Sequence, residues 1–283
     1  MTTSCPCCDA LRWEARWPGF VICRVCGLMR VEGHFPVEEL KKQYGEDYFH
    51  GREYVDYVAD AAVQRKLLTG HFRRMARYVR PGQPVLEIGC AYGYFLELLR
   101  TAYPGSVGID VSAGAVAAAR AGGLDAREGD LMELDLQGPF GAVCLWDTVE
   151  HLAAPDAVLR RGVELLSPAG HLFLTTGDFG SWLARAQGLR WRQIHPPTHL
   201  FYFTRHSLTL LCQRIGLTVV ALETVSVHRR LSSSLRGWQQ RYPRSPSARV
   251  AGWLDRVLPA RLREYDFPLN LGDTMFLAAR RGS

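Results

Sequence analysis

The 283-residue sequence predicts an α/β fold behind a small cysteine-rich module. Two observations carry this. From Pro84 onward, short apolar runs alternate with amphipathic stretches, the pattern of a mostly parallel sheet with helices on both faces. Before that, two C-x-x-C pairs, Cys5/Cys8 and Cys23/Cys26, stand at the spacing of a four-thiolate metal site. Hydrophobic residues make up 47% of the chain, enough for a sizeable core. No apolar run approaches the roughly 18 residues of a membrane span.

The elements follow in order. Residues 1–34 form the cysteine module, with LRWEARWPGFVI between the pairs reading as a short hairpin. Gly27 follows the second pair, where a chain turning toward a metal needs positive φ. Two such knuckles give Zn2+ a closed tetrahedral site, structural rather than catalytic, in place of a core too small to hold the module folded. A dithiol redox pair would need a thioredoxin-like βαβ unit, which the pattern lacks. Residues 35–80 read as a helical linker, with a short helix from Pro36 to Tyr44 and an amphipathic one from Tyr54 to Val79. Arg80-Pro81-Gly82 stops the second. Strands are expected at 84–89, 106–110, 124–128, 140–146 and 170–176, with helices at 92–101, 112–121 and 155–166. A helix at 205–215 and strands at 217–226 and 273–280 follow; these last two strands lack a regular crossover and read as an antiparallel edge pair. Residues 81–283 thus make one domain. It contains two segments longer than ordinary loops, 177–203 and 227–271, of the kind that serve as lids or binding loops.

Net charge is +6, and most of it sits in one place. Between Val227 and Glu264 there are nine arginines against Asp255 and Glu264. A solvated arginine-rich surface is the plainer account; attraction to an anionic acceptor, an acidic carrier or a membrane surface is the functional one. The start, MTTSCPCC, lacks the charged and apolar regions of a signal peptide, and Cys7, Cys90, Cys144 and Cys212 are scattered rather than framed for disulfides. A cytoplasmic protein is expected.

The first strand runs into VLEIGCAYG, Val85 to Gly93. Gly89 and Gly93 let the backbone pass close to a ligand at a helix N-terminus. The nicotinamide fingerprint fails, because Ala91 and Tyr94 occupy its later glycine positions. Glu87 suits a cationic amino-acid group better than a pyrophosphate. Asp110 ends the next strand, where a carboxylate can accept two ribose hydroxyls, and Asp130 ends a third, within reach of an adenine amino group. All three acids fall at the carboxyl ends of neighbouring strands, where open α/β sheets bind ligands.

The ordered set VLEIGCAYG, GIDVS, EGDL, LWDTVEHL and LLSPAGHLFLTT resembles the class I S-adenosylmethionine-dependent methyltransferases, over roughly residues 45–226 and 272–281. Those enzymes have a Rossmann-like seven-stranded sheet. Leu145 to Thr176 is similar to the ubiquinone-pathway O-methyltransferases, and Pro168-Ala169-Gly170 stands where they carry Pro-Gly-Gly. The N-terminal pairs and HPPTHLFYF resemble a zinc-ribbon subgroup linked to sugar and secondary-metabolite pathways. The resemblance implies that Glu87, Gly89 and Gly93 line the methionine end of the cofactor. It further implies that Asp110 binds its ribose, Val111 packs on its adenine, Asp130 with Leu131 bounds the adenine edge, and Asp147 lies near the methyl group. Tyr48 and Phe49 would cap the cofactor from the linker.

Methyl transfer needs an aligned acceptor and, for some acceptors, a base. His199, His195 and His151 are the candidates, together with Tyr202; His195 and His199 flank Pro196-Pro197 in the 177–203 insertion. The same histidines could instead bind carbonyls within their own loops. The Pro-Pro pair does not mark an amino-group methyltransferase, whose motif follows the fourth strand, where this chain has Trp146-Asp147-Thr148. A small-molecule acceptor is expected, methylated on oxygen, carbon or nitrogen. Two alternatives are a ribosomal RNA methyltransferase and a cofactor-binding regulator without catalysis. The ribbon lacks a dense basic and aromatic surface, which disfavours nucleic acid.

Overall fold

The computed structural model describes residues 4–33, 35–36, 39–40 and 60–282. Tyr44, Tyr48, Phe49 and the first residues of the expected 54–79 helix lie outside these, as does most of the short helix expected from Pro36.

The cysteine module is a three-stranded antiparallel unit, β1 (Trp13–Trp17), β2 (Phe20–Cys23) and β3 (Met29–Val31). Pro18-Gly19 closes the hairpin, and Gly19 takes φ 79°, which a two-residue turn of this kind requires. Helix α1 (Ala61–Met75) then leads into the main domain. There β4 (Val85–Ile88), α2 (Tyr94–Leu99), β5 (Val107–Asp110), α3 (Ala113–Ala121) and β6 (Ala126–Glu128) form one half of the sheet. The other half holds β7 (Phe140–Trp146), α4 (Pro155–Glu164) and β8 (Leu166–Gly177). The chain continues through α5 (Trp182–Gln187), β9 (Phe201–Tyr202), α6 (Arg205–Arg214) and β10 (Leu217–Thr224). Next come β11 (Val227–Arg230), α7 (Leu231–Arg241), α8 (Pro246–Val257), β12 (Asp266–Leu269) and β13 (Thr274–Arg281).

Seven strands make one sheet in the order β6-β5-β4-β7-β8-β13-β10. β4 to β8 pair in parallel, and β13 runs antiparallel to both β8 and β10. The antiparallel edge expected from the sequence is therefore present. Every residue of β4 and β7 is buried, as strands covered on both faces must be. Strand order reverses between β4 and β7, which opens a crevice at their carboxyl ends.

Two apolar layers cover the sheet. One joins α1, α2 and α3, through Leu68, Phe95, Leu99 and Val116, to Trp146 and Phe276. The other runs from Leu145 and Leu174 through Leu208 and Phe203 to the ribbon's Cys5, Cys23 and Leu28. The ribbon shares the core of the domain. It is also joined by backbone, because β9 adds to its sheet in the order β1-β2-β3-β9. The 227–271 insertion carries its own hairpin, β11 with β12, and the packed pair α7 and α8. No helix among the described residues is long and apolar enough to cross a membrane.

One core residue is polar. His71 on α1 is 2% exposed and stacks on Trp146 at 4.8 Å between ring centroids. Its Nδ1 has no hydrogen-bond partner among the described residues. Burial lowers its pKa from 6.5 to about 3, so the folded state holds it neutral. The unfolded chain binds that proton first, so stability is full above pH 6.5 and is lost as pH falls toward 3. Urea unfolding should show His71→Phe removing up to about 1.4 kcal/mol per pH unit from the acid slope between pH 6 and 4. An unchanged slope would refute the neutral, buried assignment.

Candidate functional site

The crevice is built around the turn after β4. Gly89 and Gly93 take φ 79° and 77°, and Ala91 between them takes φ 46°, a region that costs a side-chain-bearing residue energy. Asp110, at the end of β5, holds this turn. Its Oδ2 accepts the Ala91 N–H at 2.8 Å, and its Oδ1 accepts the Ser112 N–H at 2.9 Å. A Cβ at Gly89 would lie 2.5 Å from Thr148 Oγ1, and one at Gly93 would lie 2.5 Å from Leu124 Cδ1. Glycine is therefore required twice over, by φ and by space. Val111 is half-buried at the start of the loop into α3. Asp130, beyond β6, accepts the Met132 N–H at 2.8 Å, and Leu131 is buried beside it. The Gly129 N–H reaches the Asp110 carbonyl, so the ends of β5 and β6 are joined here.

Burial dominates the electrostatics of the acids in this crevice. Glu87 is 3% exposed and its Oε2 lacks a hydrogen-bond partner among the described residues. Burial, and then the charge on Asp110, push the Glu87 carboxyl well above its ordinary value of 4.5. Burial also raises Asp110, outweighing the backbone N–H groups that favour its charged form. Asp147 at the end of β7 is raised by burial too, against a hydrogen bond from Thr175 and the charges of Arg192 and Arg229. Asp147 takes φ 48°, its N–H directed at Thr175. A cationic ligand with hydroxyl groups fits this set: a buried carboxyl with one oxygen lacking a hydrogen-bond partner among the described residues, and a second acid at the end of the neighbouring strand.

Beyond Thr148 the chain makes one 3-10 turn, Val149–His151. The Leu200 N–H donates to the Glu150 carbonyl at 2.9 Å, which brings the 177–203 insertion against this turn. The His151 and His199 rings then meet edge to face, 4.5 Å between centroids, with His195 5.4 Å from His199. His151 Nδ1 lies 2.9 Å from the Thr198 carbonyl. Burial lowers His151 to about 4 and His199 well below 6.5, so both rings are neutral at pH 7. The three candidate histidines thus converge at the end of β7, adjoining the glycine turn through Thr148.

The insertion is anchored from both sides. Asp273, 1% exposed, accepts from Trp191 Nε1 at 2.8 Å and pairs with Arg192 at 2.9 Å. Arg205 pairs with the buried Asp178 at 3.0 Å. On the ribbon side, Met29 pairs with Tyr202 and Arg30 with Phe201. Phe20, Met29, Ala184, Trp191 and Tyr202 close a small apolar cluster between them.

The cysteines form a separate centre. Cys5, Cys8, Cys23 and Cys26 bring their sulfurs within 4.8 Å of one another, with Cys5–Cys26 at 3.5 Å and Cys8–Cys23 at 3.6 Å. Thiolates about 2.3 Å from one tetrahedral ion stand about 3.8 Å apart, so the four residues fit such an ion. None of the eight cysteines is joined in a disulfide, and Cys7, though buried, is not one of the four.

Three features escaped the sequence reading. Glu150, 3% exposed, stands beside His151 in DTVEHL; an acid directly before a candidate histidine was the available signal. The sequence shows Ala91 at a glycine position of the turn, but not that it keeps the positive φ there. His71 gave no signal, being one histidine in an amphipathic stretch.

The methyltransferase-domain family profile matches residues 53–222, and the chain belongs to that family. Curated relatives include the ubiquinone biosynthesis O-methyltransferase of Azorhizobium caulinodans, 33% identical over 121 residues, 40% of this chain and 48% of that protein. The malonyl-[acyl-carrier protein] O-methyltransferase of Anoxybacillus flavithermus is 31% identical over 129 residues, 43% of this chain and 49% of that one. The chain spans about half the length of the curated relatives it matches. The magnesium protoporphyrin IX methyltransferase of Synechocystis PCC 6803, solved with bound SAH, shares the fold at TM-score 0.55 and 15% identity, covering 87% of this chain and 100% of that one.

Glu87 should cost the folded protein stability. Its raised carboxyl takes up a proton on folding, so its contribution is most favourable below pH 4.5 and worsens as pH rises toward its folded value. Glu87→Gln should therefore stabilise the ligand-free protein at pH 7–8 by roughly 1–2 kcal/mol in urea unfolding, and by little near pH 4. A variant no more stable at pH 8 than the wild type would contradict the uncompensated acid.

Proposed function

We propose that the chain is an S-adenosylmethionine-dependent methyltransferase for a small-molecule acceptor, carrying a structural Zn2+ in its N-terminal ribbon. The observation that carries the reading is the buried Glu87 carboxyl, its Oε2 without a hydrogen-bond partner among the described residues, two positions before the Gly89–Gly93 turn and with Asp110 at the end of the neighbouring strand. Glu87, Gly89 and Gly93 would take the amino-acid end of the cofactor, Asp110 its ribose hydroxyls, and Val111, Asp130 and Leu131 its base. Bound there, the cofactor supplies a methyl group already activated as a sulfonium. Asp147, the neutral rings of His151 and His199, and the neighbouring His195 then line the acceptor side. His199 is the lead group for holding the acceptor and its proton, because it is the most buried of the three and faces both others.

The 227–271 insertion supports an anionic or carrier-bound acceptor. Arg244, Arg249, Arg256 and Arg261 are exposed there, beside exposed Val250 and Trp253 on α8. Such a surface attracts an acidic partner. Zn2+ at Cys5, Cys8, Cys23 and Cys26 would have no open position, which makes it a fastener rather than a reagent.

Calorimetry should show Asp110→Ala weakening S-adenosylmethionine binding at least about 100-fold while the protein stays folded, the loss of hydrogen bonds to a charged acceptor. Wild-type affinity in that variant would reject the cofactor site. Metal analysis should find one zinc per chain, and Cys23→Ser should lose it; an unchanged content would reject the ribbon site. With an acceptor in hand, His199→Ala should cut turnover at least about tenfold and leave cofactor affinity unaltered. Full turnover would remove His199 from the site.

A further inference from the structure

Helix α8 is built the wrong way round for a helix that meets only water. Its inner face carries small residues. Ala248 and Ala251 are buried where α7 and α8 pack together, and a Cβ at Gly252 would meet Gln239 Oε1 at 2.9 Å. The large apolar residues point outward instead: Val250 is 56%, Trp253 60% and Val257 52% exposed. At about 3.6 residues per turn these three share one face, and Arg249 and Arg256 run along its flank. Both arginines are exposed and lack an ion-pair partner among the described residues. The turn after α8 adds exposed Arg261, Leu262 and Tyr265. A helix that faces only water turns its polar residues outward, whereas an exposed apolar stripe with a charged rim marks a surface that meets a partner.

The charge says what kind of partner. Between Arg244 and Tyr265 five arginines stand against Asp255 and Glu264, so the partner is acidic. A second copy of the chain fits poorly, because two such faces would set arginine against arginine. An acidic protein would have to offer a groove for Trp253 as well as its charge. An anionic bilayer offers both layers at once: charged headgroups for the guanidinium groups, and hydrocarbon just beneath for the apolar stripe. Tryptophan settles at that boundary, and arginine stems lie along apolar surface while their heads reach phosphate.

The position of the helix gives such a contact a use. β10 ends and β13 begins beside the end of β8, with Thr224 opposite Met275 and Thr274 opposite Gly177, so the 227–271 insertion stands at the crevice end of the sheet. Its hairpin is pinned to the start of the main domain by Arg230 with Asp60 at 3.4 Å and Lys66 with Asp266 at 2.6 Å. We propose that the outward face of α8 seats the protein on an anionic lipid bilayer, with Val250, Trp253 and Val257 entering the headgroup layer and Arg249 and Arg256 pairing with lipid phosphates. The inference stands on this surface and goes beyond the methyltransferase reading. Joined to that reading, it makes the acceptor a molecule that resides at, or is carried to, a membrane surface.

The test is cosedimentation of the full chain, prepared with Zn2+, with lipid vesicles. The wild type should bind vesicles of equal parts phosphatidylglycerol and phosphatidylcholine at least about tenfold more tightly than phosphatidylcholine alone, and high salt should weaken the binding. Trp253→Ser with Val257→Ser, and separately Arg249→Gln with Arg256→Gln, should each weaken it at least about tenfold. All four positions are exposed, so both variants should fold, which circular dichroism checks. If a variant does not fold, hydrogen exchange of the wild type decides: vesicles should add protection in α8. No binding to anionic vesicles, undiminished binding in either folded variant, or unchanged exchange in α8 overturns the proposal. So does another occupant of the face. That would be a dimer in sedimentation equilibrium that Trp253→Ser with Val257→Ser dissociates, or acyl carrier protein, used as an acidic probe, bound through α8 while vesicles are not. S-adenosylhomocysteine affinity, measured by calorimetry without vesicles, should be unchanged in both variants, so failure of the membrane face and failure of the cofactor site are distinguishable.

Discussion

The pairing of Met29 and Arg30 with Tyr202 and Phe201 is the contact on which the candidate site depends. The segment after β8 leaves the sheet edge and has no regular element long enough to fix its own path. Its return is fixed because two residues become the fourth strand of the ribbon's sheet, with the Val31 N–H reaching the Leu200 carbonyl at 2.9 Å. His199 sits one residue before that contact. Each such hydrogen bond is worth about 1 kcal/mol net, but burying Leu200, Tyr202 and Phe203 adds roughly 2 kcal/mol apiece. The Thr204 hydroxyl directed at the Cys26 carbonyl and the pairing of Arg214 with Asp9 extend the seam. A module that lacks a core of its own thus positions a loop in the larger domain.

The other organising constraint is charge. Three acids, Glu87, Asp110 and Asp147, occupy the ends of three strands, and burial disfavours the charged form of each. Backbone strain at Ala91 and Asp147 adds to that cost at the same place. Folding alone does not call for such an arrangement. It is the expected signature of a crevice stabilised by a cationic ligand, in which stability is given up for binding.

Much of this was legible in the sequence because local pattern and global fold agree there. The β4 turn announced itself through Glu87, Gly89 and Gly93, and the parallel strands through continuous apolar runs such as FGAVCLW. The cysteine cluster followed from its spacing. What escaped is non-local. Nothing in HPPTHLFYF shows that Phe201 and Tyr202 pair with residues about 170 positions earlier, since a two-residue strand has no periodicity to detect. The convergence of His151 with His199 follows from that pairing, whereas Glu150 adjoins His151 in the sequence and was overlooked despite that local signal. Likewise 227–271, expected as a long loop, holds a hairpin and packed helices whose arginine-rich faces mask their apolar periodicity.

The dependence of the site on the ribbon is open to direct measurement by hydrogen exchange on protein prepared with Zn2+ and on protein treated with a chelator to open the cysteine module. Amides from Leu200 to Phe203, and those of the Val149–His151 turn, should lose protection together with β2 and β3, while β4 and β5 keep theirs. Unchanged protection at Phe201 and Tyr202 in a ribbon that has itself opened would contradict the account.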